Sequence, residues 1–344
     1  MMPSLIEGKW IAAFVGVLQR CGVRPGEACC VLSETQSRAV LVDTARLALE
    51  QLGATVFELR VPTPPVHTPV PVRSTGASLA LVRQDAAVQA LSRCALVVDC
   101  TVEGIQHAAQ LPAILCAGAR VLVVSNEHPE ILERCAPRTE DEAPVRDAMK
   151  RLKAARRMRI TSRAGTDLTV DLAGSRVGGV WGFTSKPGTL THWPGGLVLA
   201  FPAAGTVHGT LVLDRGDVNL AFKRYLGDPV RLSIADDHVT DVGGESVDAE
   251  LMRQQFAVWG DRSACAVSHV GWGLNERARW DAMAFYDKAD FNGTELRAFA
   301  GNFLYSTGAN EVAGRHTAGH FDLPLRRCTI ELDGRAVVRE GVLA

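Results

Sequence analysis

The sequence predicts an α/β N-terminal domain with a parallel sheet, followed by an α+β domain rich in antiparallel strands. Three observations carry this. Short, almost wholly apolar runs such as residues 94–100 (CALVVDC) and 119–125 (ARVLVVS) alternate with helical segments over residues 27–150, and strands buried on both faces belong to parallel sheets covered by helices. From Arg159 onward glycines multiply and strand runs shorten. Near the end, Asp333-Gly334 sits between two strand-like runs, the strongest short signal of a tight hairpin. The division falls at residues 157/158, giving an α/β scaffold domain 1–157 and an α+β domain 158–344.

In order along the chain, Leu5, Trp10, Ile11, Phe14, Val17 and Leu18 fall on one helical face, and Gly22 ends the pattern. Residues 27–32 (EACCVL) read as the first strand. Ser33 and Thr35 are candidate N-caps for the helix that runs on to Leu52. Gly53 stops that helix, and residues 54–61 (ATVFELRV) form the next strand. Residues 62–75 (PTPPVHTPVPVRST) are proline-rich and read as a loop over the sheet edge, since proline cannot donate to a ladder. A charged helix spans about 140–157. Residues 159–162 and 167–172 read as a hairpin around Ala164-Gly165. Further strands are expected at 197–201, 208–213 and 229–234, with a last hairpin over 328–338. The turn after the first strand, Ser33 to Ser37, contains no glycine, which speaks against a dinucleotide site because a phosphate cradle needs close backbone approach.

Composition narrows the function classes. The chain has 344 residues, 47% hydrophobic and 22% charged, with 37 basic and 38 acidic side chains. That balance speaks against a nucleic-acid partner or a polybasic membrane surface. No apolar run reaches the ~18 residues of a spanning helix, and the N-terminus does not read as a signal peptide, so a cytoplasmic protein is expected. The nine cysteines include no C-x-x-C pair and read as reduced thiols rather than a disulfide frame or zinc site.

Nine histidines remain as candidates for chemistry. In Gly319-His320-Phe321-Asp322 one residue separates His320 from Asp322, so in an extended segment both point to one side and can reach one ion. Iron, zinc and manganese all suit such donors. His316 reads as a loop residue near the site, since Gly314 and Gly319 argue against a helix there. His269, in residues 265–273 (CAVSHVGWG), is either a packed strand histidine or a third ligand from another strand. With it, the set is two histidines and one carboxylate, as in non-haem Fe(II) oxygenases. A three-ligand hydrolytic zinc stays equally open on spacing alone. His192 lies in Thr191-His192-Trp193-Pro194-Gly195-Gly196, a turn before a strand. His107 follows the strand ending at Asp99-Cys100, where open α/β sheets present ligands to a crevice. A surface histidine is the plain alternative at both.

The second half resembles the metallopeptidases of the thermophilic leucyl-aminopeptidase type. The matching stretches are residues 159–168 (RITSRAGTDL), Pro194-Gly195-Gly196, residues 271–275 (GWGLN), Gly319–Asp322 and Leu332-Asp333-Gly334. The resemblance breaks where those enzymes hold two metals. Leu197 stands for one glutamate, His269 for another, and residues 304–307 contain no histidine. Two close dications need carboxylates to offset their repulsion, so one metal is what this chain can keep.

The altered set looks like the 2,5-dihydroxypyridine 5,6-dioxygenases of nicotinate breakdown, which share that scaffold. The likeness spans nearly the whole chain and includes the THWPGG turn and the SHVGWG stretch. It implies one Fe(II) per subunit on His269, His320 and Asp322, with Ser306 as a further ligand, and His107 and His192 on the substrate side. It places the metal site in the α+β domain, at the interdomain cleft. It implies 2,5-dihydroxypyridine and dioxygen as substrates, N-formylmaleamate as product, and a homo-oligomer, a hexamer being one form. The alternatives are a metallo-aminopeptidase-like hydrolase and a non-catalytic binding protein on a decayed peptidase scaffold.

Overall fold

The computed structural model describes residues 5–65, 78–290 and 292–344. Most of the proline-rich segment, with His67, lies outside them. In the first half, the strands Ala28–Glu34, Thr55–Val61, Leu96–Asp99 and Arg120–Val123 form a parallel sheet in the spatial order second, first, third, fourth. Side chains alternate across it. Cys29 and Val31 face the helices Gly8–Arg20 and Ala39–Gln51 through Phe14, Leu41 and Ala45. Cys30 and Leu32 face the other layer, where Leu91 and Ile114 wait on two shorter helices. The period-two pleat thus sends the adjacent cysteines into two different cores, and all nine cysteines are free thiols.

Two local expectations change. The first strand continues through Ser33 to Glu34, so neither Ser33 nor Thr35 caps the next helix. That helix begins at Ala39 behind Arg38, which carries no side-chain cap. His192 does not sit in a turn. It ends a short strand, Leu190–His192, which pairs in parallel with Arg120–Val123 as the fifth strand of the sheet. The parallel sheet therefore takes its outer strand from well beyond residue 157.

The second half is built from two antiparallel sheets. One has eight strands and includes the hairpins Arg157–Thr161/Asp167–Asp171 and Thr329–Leu332/Arg335–Arg339. The other, called here the site sheet, has five strands in the order Arg315–Leu325, Phe303–Asn310, Val267–Gly273, Leu197–Phe201 and Arg176–Val180. One face of the site sheet, with Val270, Trp272, Tyr305, Phe321 and Leu323, packs against the eight-stranded sheet in the largest core of the molecule. The opposite face looks toward the parallel sheet.

The Pro-Gly-Gly turn joins the two sheets. Trp193 is fully buried, packs at a tilt against Phe14 with ring centroids 4.9 Å apart, and donates its indole N–H to the Cys135 carbonyl at 3.0 Å. It is a core residue of the first half. Gly195 crosses so close to a neighbouring turn that a Cβ there would lie 2.2 Å from the Gly182 nitrogen. No helix among the described residues is long and apolar enough to cross a membrane.

Candidate metal centre

The register of the site sheet gathers side chains that the sequence scatters. His269 lies opposite Ser306, and Ser306 lies opposite Asp322, so three neighbouring strands contribute one row on one face. His320, two residues before Asp322, shares that face. The strand Arg315–Leu325 runs unbroken through Gly319, so His316 is an exposed strand residue and does not line the site. Leu197, Leu199 and Leu304 extend the row as an apolar wall.

The donor atoms of His269, His320 and Asp322 all lie within 4.8 Å of one another, and all three residues are buried. They converge on one oxygen: Asp322 Oδ1 is 3.1 Å from His320 Nε2 and 3.7 Å from His269 Nε2. The other carboxylate oxygen, Oδ2, accepts from Arg297 Nε. Ser306 Oγ donates to Oδ1. The tautomer of His269 follows from its neighbours. Ser268 Oγ donates to the Ala309 carbonyl at 2.6 Å, so it must accept from His269 Nδ1, 3.1 Å away. The proton therefore sits on Nδ1, and Nε2 presents its lone pair to the site, the arrangement that a ligating histidine needs.

Electrostatics agree with a cation-binding role. Burial alone would raise the Asp322 carboxyl, but His320 and Arg297 override it and hold the group well below the usual carboxylate range. Burial pushes His269 down to about 3 against the pull of Asp322. At neutral pH the set is one carboxylate with a neutral His269. Two imidazoles and a single carboxylate fit one borderline divalent ion and leave positions open.

The first half supplies the facing wall from the carboxyl ends of its parallel strands, where open α/β sheets bind ligands. His107 closes a single helical turn, Ile105–His107, that follows the third strand. Its ring lies 4.8 Å from that of His320. It is exposed to the cleft, and enclosure there, then His320 and His269, push its pKa down. His192 ends the fifth strand. Its Nδ1 lies 2.8 Å from the Pro194 carbonyl, which can only accept, so Nδ1 carries the proton and Nε2 is free to accept. Burial pushes its pKa down to about 4. All of the expected site residues except Ser306 line one pocket, and Ser306 stands behind Asp322.

Sequence reasoning missed several neighbours. Arg297, on the one-turn helix Thr294–Ala298, neutralises Asp322, and nothing in the surrounding residues signals this. Asn292, Thr294 and Gln106 form a polar rim, and Gln106 Oε1 is buried without a hydrogen-bond partner among the described residues. Ser268 was legible in hindsight only, as the residue beside a candidate ligand.

Comparison with known proteins places these residues in context. The family model described as 2,5-dihydroxypyridine 5,6-dioxygenase matches residues 9–344. A 2,5-dihydroxypyridine 5,6-dioxygenase from Pseudomonas putida KT2440 is 37% identical over 323 residues, covering 90% of this chain and 91% of the relative. The solved structure of 2,5-dihydroxypyridine dioxygenase from Pseudomonas putida KT2440 superposes with a TM-score of 0.91 at 34% identity, covering 97% of this chain and 96% of that one. Wild-type AmpT from Thermus thermophilus shares the fold, with a TM-score of 0.67 at 14% identity over 98% of this chain and 99% of its own.

Proposed function

Because this chain belongs to the 2,5-dihydroxypyridine 5,6-dioxygenase family, and is a ring-cleaving dioxygenase, we propose that it works with one Fe(II) per subunit held by His269, His320 and Asp322. Ser306 Oγ, which donates to Asp322 Oδ1, would be the fourth donor on turning from that oxygen to the ion. The observation that carries this reading is the convergence of two imidazole nitrogens on one carboxylate oxygen, with the His269 tautomer already set for ligation. Fe(II) there would supply the redox chemistry that couples an electron-rich ring to dioxygen. The hydrolase and binding-protein readings give way to family membership, and Leu197 in the wall offers no second metal a carboxylate.

In this proposal the protein's own residues bind and orient the substrate and move its protons. The apolar wall of Leu197, Leu199 and Leu304 takes the ring of 2,5-dihydroxypyridine. The polar rim meets its substituents, with Gln106 Oε1 an acceptor for a substrate N–H or O–H. His192 Nε2 accepts the hydroxyl proton, which strengthens electron donation from the ring. His107, across from His320, is the second proton carrier. Both atoms of dioxygen end in N-formylmaleamate, one on each carbon of the broken C5–C6 bond, so no other oxidant is needed. The same reading has the enzyme act in the cytoplasm as a homo-oligomer.

Dioxygen uptake on adding 2,5-dihydroxypyridine to protein reloaded anaerobically with Fe(II), beside a zinc-loaded control, tests this. Uptake equal to substrate loss is expected with iron only. Absence of uptake by protein that holds iron would overturn the proposed substrate. His192→Gln removes the proton acceptor but leaves the ligands in place. It is expected to keep its iron and to lose roughly 10²–10⁴-fold in kcat. Wild-type kcat in that variant would remove His192 from the proton path.

A further inference from the structure

We infer that Glu127, a residue of the first half outside the pocket, is a positioning residue that sets the charge around the metal through Arg297. The inference rests on the metal reading of His269, His320 and Asp322. Glu127 is fully buried, yet the segment that it holds comes from the far end of the chain. Its Oε1 accepts the backbone N–H of Asn292 at 3.1 Å, and its Oε2 accepts those of Gly293 at 3.1 Å and Thr294 at 2.8 Å. The Oε1 also accepts from the N–H of His128 at 3.1 Å. One carboxylate thus satisfies the unpaired donors that open the helix Thr294–Ala298, donors that a single turn of helix cannot satisfy for itself.

The far end of that helix is held separately, by Asn302 Nδ2 donating to the Leu296 and Arg297 carbonyls at 3.4 and 2.7 Å and by the Asn275 N–H donating to the Ala298 carbonyl at 3.0 Å, so Glu127 fixes its start. The helix is five residues long, its N-cap Gly293 offers no side chain, and short helices gain almost nothing from their own hydrogen bonds. Two of its side chains face opposite duties. Glu295 is buried and takes a two-pronged contact from Arg134, at 2.8 and 3.0 Å, again from the first half. Arg297 reaches the other way, to Asp322 Oδ2. Asn292, whose N–H is tied to Glu127, also offers its side-chain oxygen to Arg297 Nη1 at 3.4 Å. The route from Glu127 to the carboxylate ligand is therefore continuous: backbone of 292–294, guanidinium of 297, carboxylate of 322.

The consequence concerns how Asp322 binds. With Oδ2 taken by Arg297, Oδ1 would be the oxygen left for the ion, so ligation would be one-pronged, and the guanidinium would offset the negative charge that Asp322 brings to it. When Glu127 no longer fixes the helix start, Arg297 keeps its backbone tie to Asn302 but loses the aligned Asn292 contact that steers its guanidinium. Asp322 can then turn or bind through both oxygens. A group that orients a first ligand in this way typically changes metal affinity by about 10–100-fold.

The test uses Glu127→Gln in the full chain, with Co(II) as the probe ion and Arg297→Lys as a comparison. Co(II) affinity and its visible absorption spectrum are measured beside Tm. The expected result is an affinity change of about tenfold or more and an altered Co(II) spectrum resembling that of Arg297→Lys. In iron-loaded enzyme KM and kcat should both move. Wild-type affinity and spectrum in folded Glu127→Gln would overturn the inference, even with a lowered Tm, because that pattern marks a purely structural carboxylate. If Glu127→Gln does not fold, Glu127→Asp, which keeps the charge and shortens the reach, gives the same reading. Asp322→Asn separates the two levels. Loss of Co(II) there with wild-type binding in the Glu127 variants sinks this inference alone. Retained Co(II) in Asp322→Asn sinks the metal reading, and this inference with it.

Discussion

Asp322→Ala is expected to abolish metal retention and ring cleavage together, and to destabilise the protein as well. The carboxylate is the one charged ligand of the proposed set, and it also neutralises Arg297, whose side chain is 13% exposed. Removing one member of a buried ion pair leaves the other uncompensated, at a cost of roughly 3–5 kcal/mol. Because Arg297 reaches the cleft, the lower end applies. His320→Ala provides the contrast. It should lose metal and turnover just as completely, yet it leaves the Arg297–Asp322 pair intact and so should unfold near the wild-type temperature. Metal content after desalting, dioxygen uptake and Tm distinguish the two. Substantial turnover in either variant would remove that residue from the ligand set.

Gly271→Ala should be the most disruptive single-methyl change near the site. Gly271 lies two residues past His269, between Leu199 on one neighbouring strand and Leu304 on the other. A Cβ there would stand 1.9 Å from the Val198 carbonyl oxygen and 3.0 Å from the Leu199 Cα. These are backbone atoms in a ladder and have no rotamer to adopt. The strands must part, which breaks the pairing that places His269 beside Ser306 and shifts the apolar wall. Overpacking alone costs about 1–3 kcal/mol, and lost ladder bonds add to it. We expect Tm to fall by about 5 °C or more and metal affinity to fall with it. A soluble variant with unchanged Tm and turnover would show that the strand spacing is not what holds the site.

Much of the fold was legible because its signals are local. The apolar runs at 94–100 and 119–125, the glycine behind each early helix and the Asp333-Gly334 turn all report on residues within a few positions of themselves. His320 and Asp322 were legible for the same reason, since a pleat fixes the direction of i and i+2. His269 was not fixed by its own neighbourhood. Its place opposite Ser306 depends on a register across strands about 37 residues apart in sequence, and only the family resemblance supplied it. Thr191 and His192 were read as the start of a turn running to Gly196 because a three-residue strand carries no periodicity, and its strand character comes from the edge it completes. Arg297 and Glu127 were invisible because their partners lie at separations of 25 and about 166 residues, distances that no local pattern encodes.

The borrowed fifth strand bears on how the chain reaches this structure during synthesis. Arg120–Val123 pairs on one side with the strand before it, but its other edge waits for Leu190–His192. Roughly seventy residues separate them, which at about 5–20 residues per second leaves an open parallel edge on the nascent chain for several seconds. Such an edge is a template for pairing with any passing strand, and here it is apolar past Arg120. The arrangement also means that His192 cannot be in place before both halves have met. Completing the sheet and completing the pocket are one event, so an N-terminal fragment that looks well folded would still carry an exposed seam and no working site.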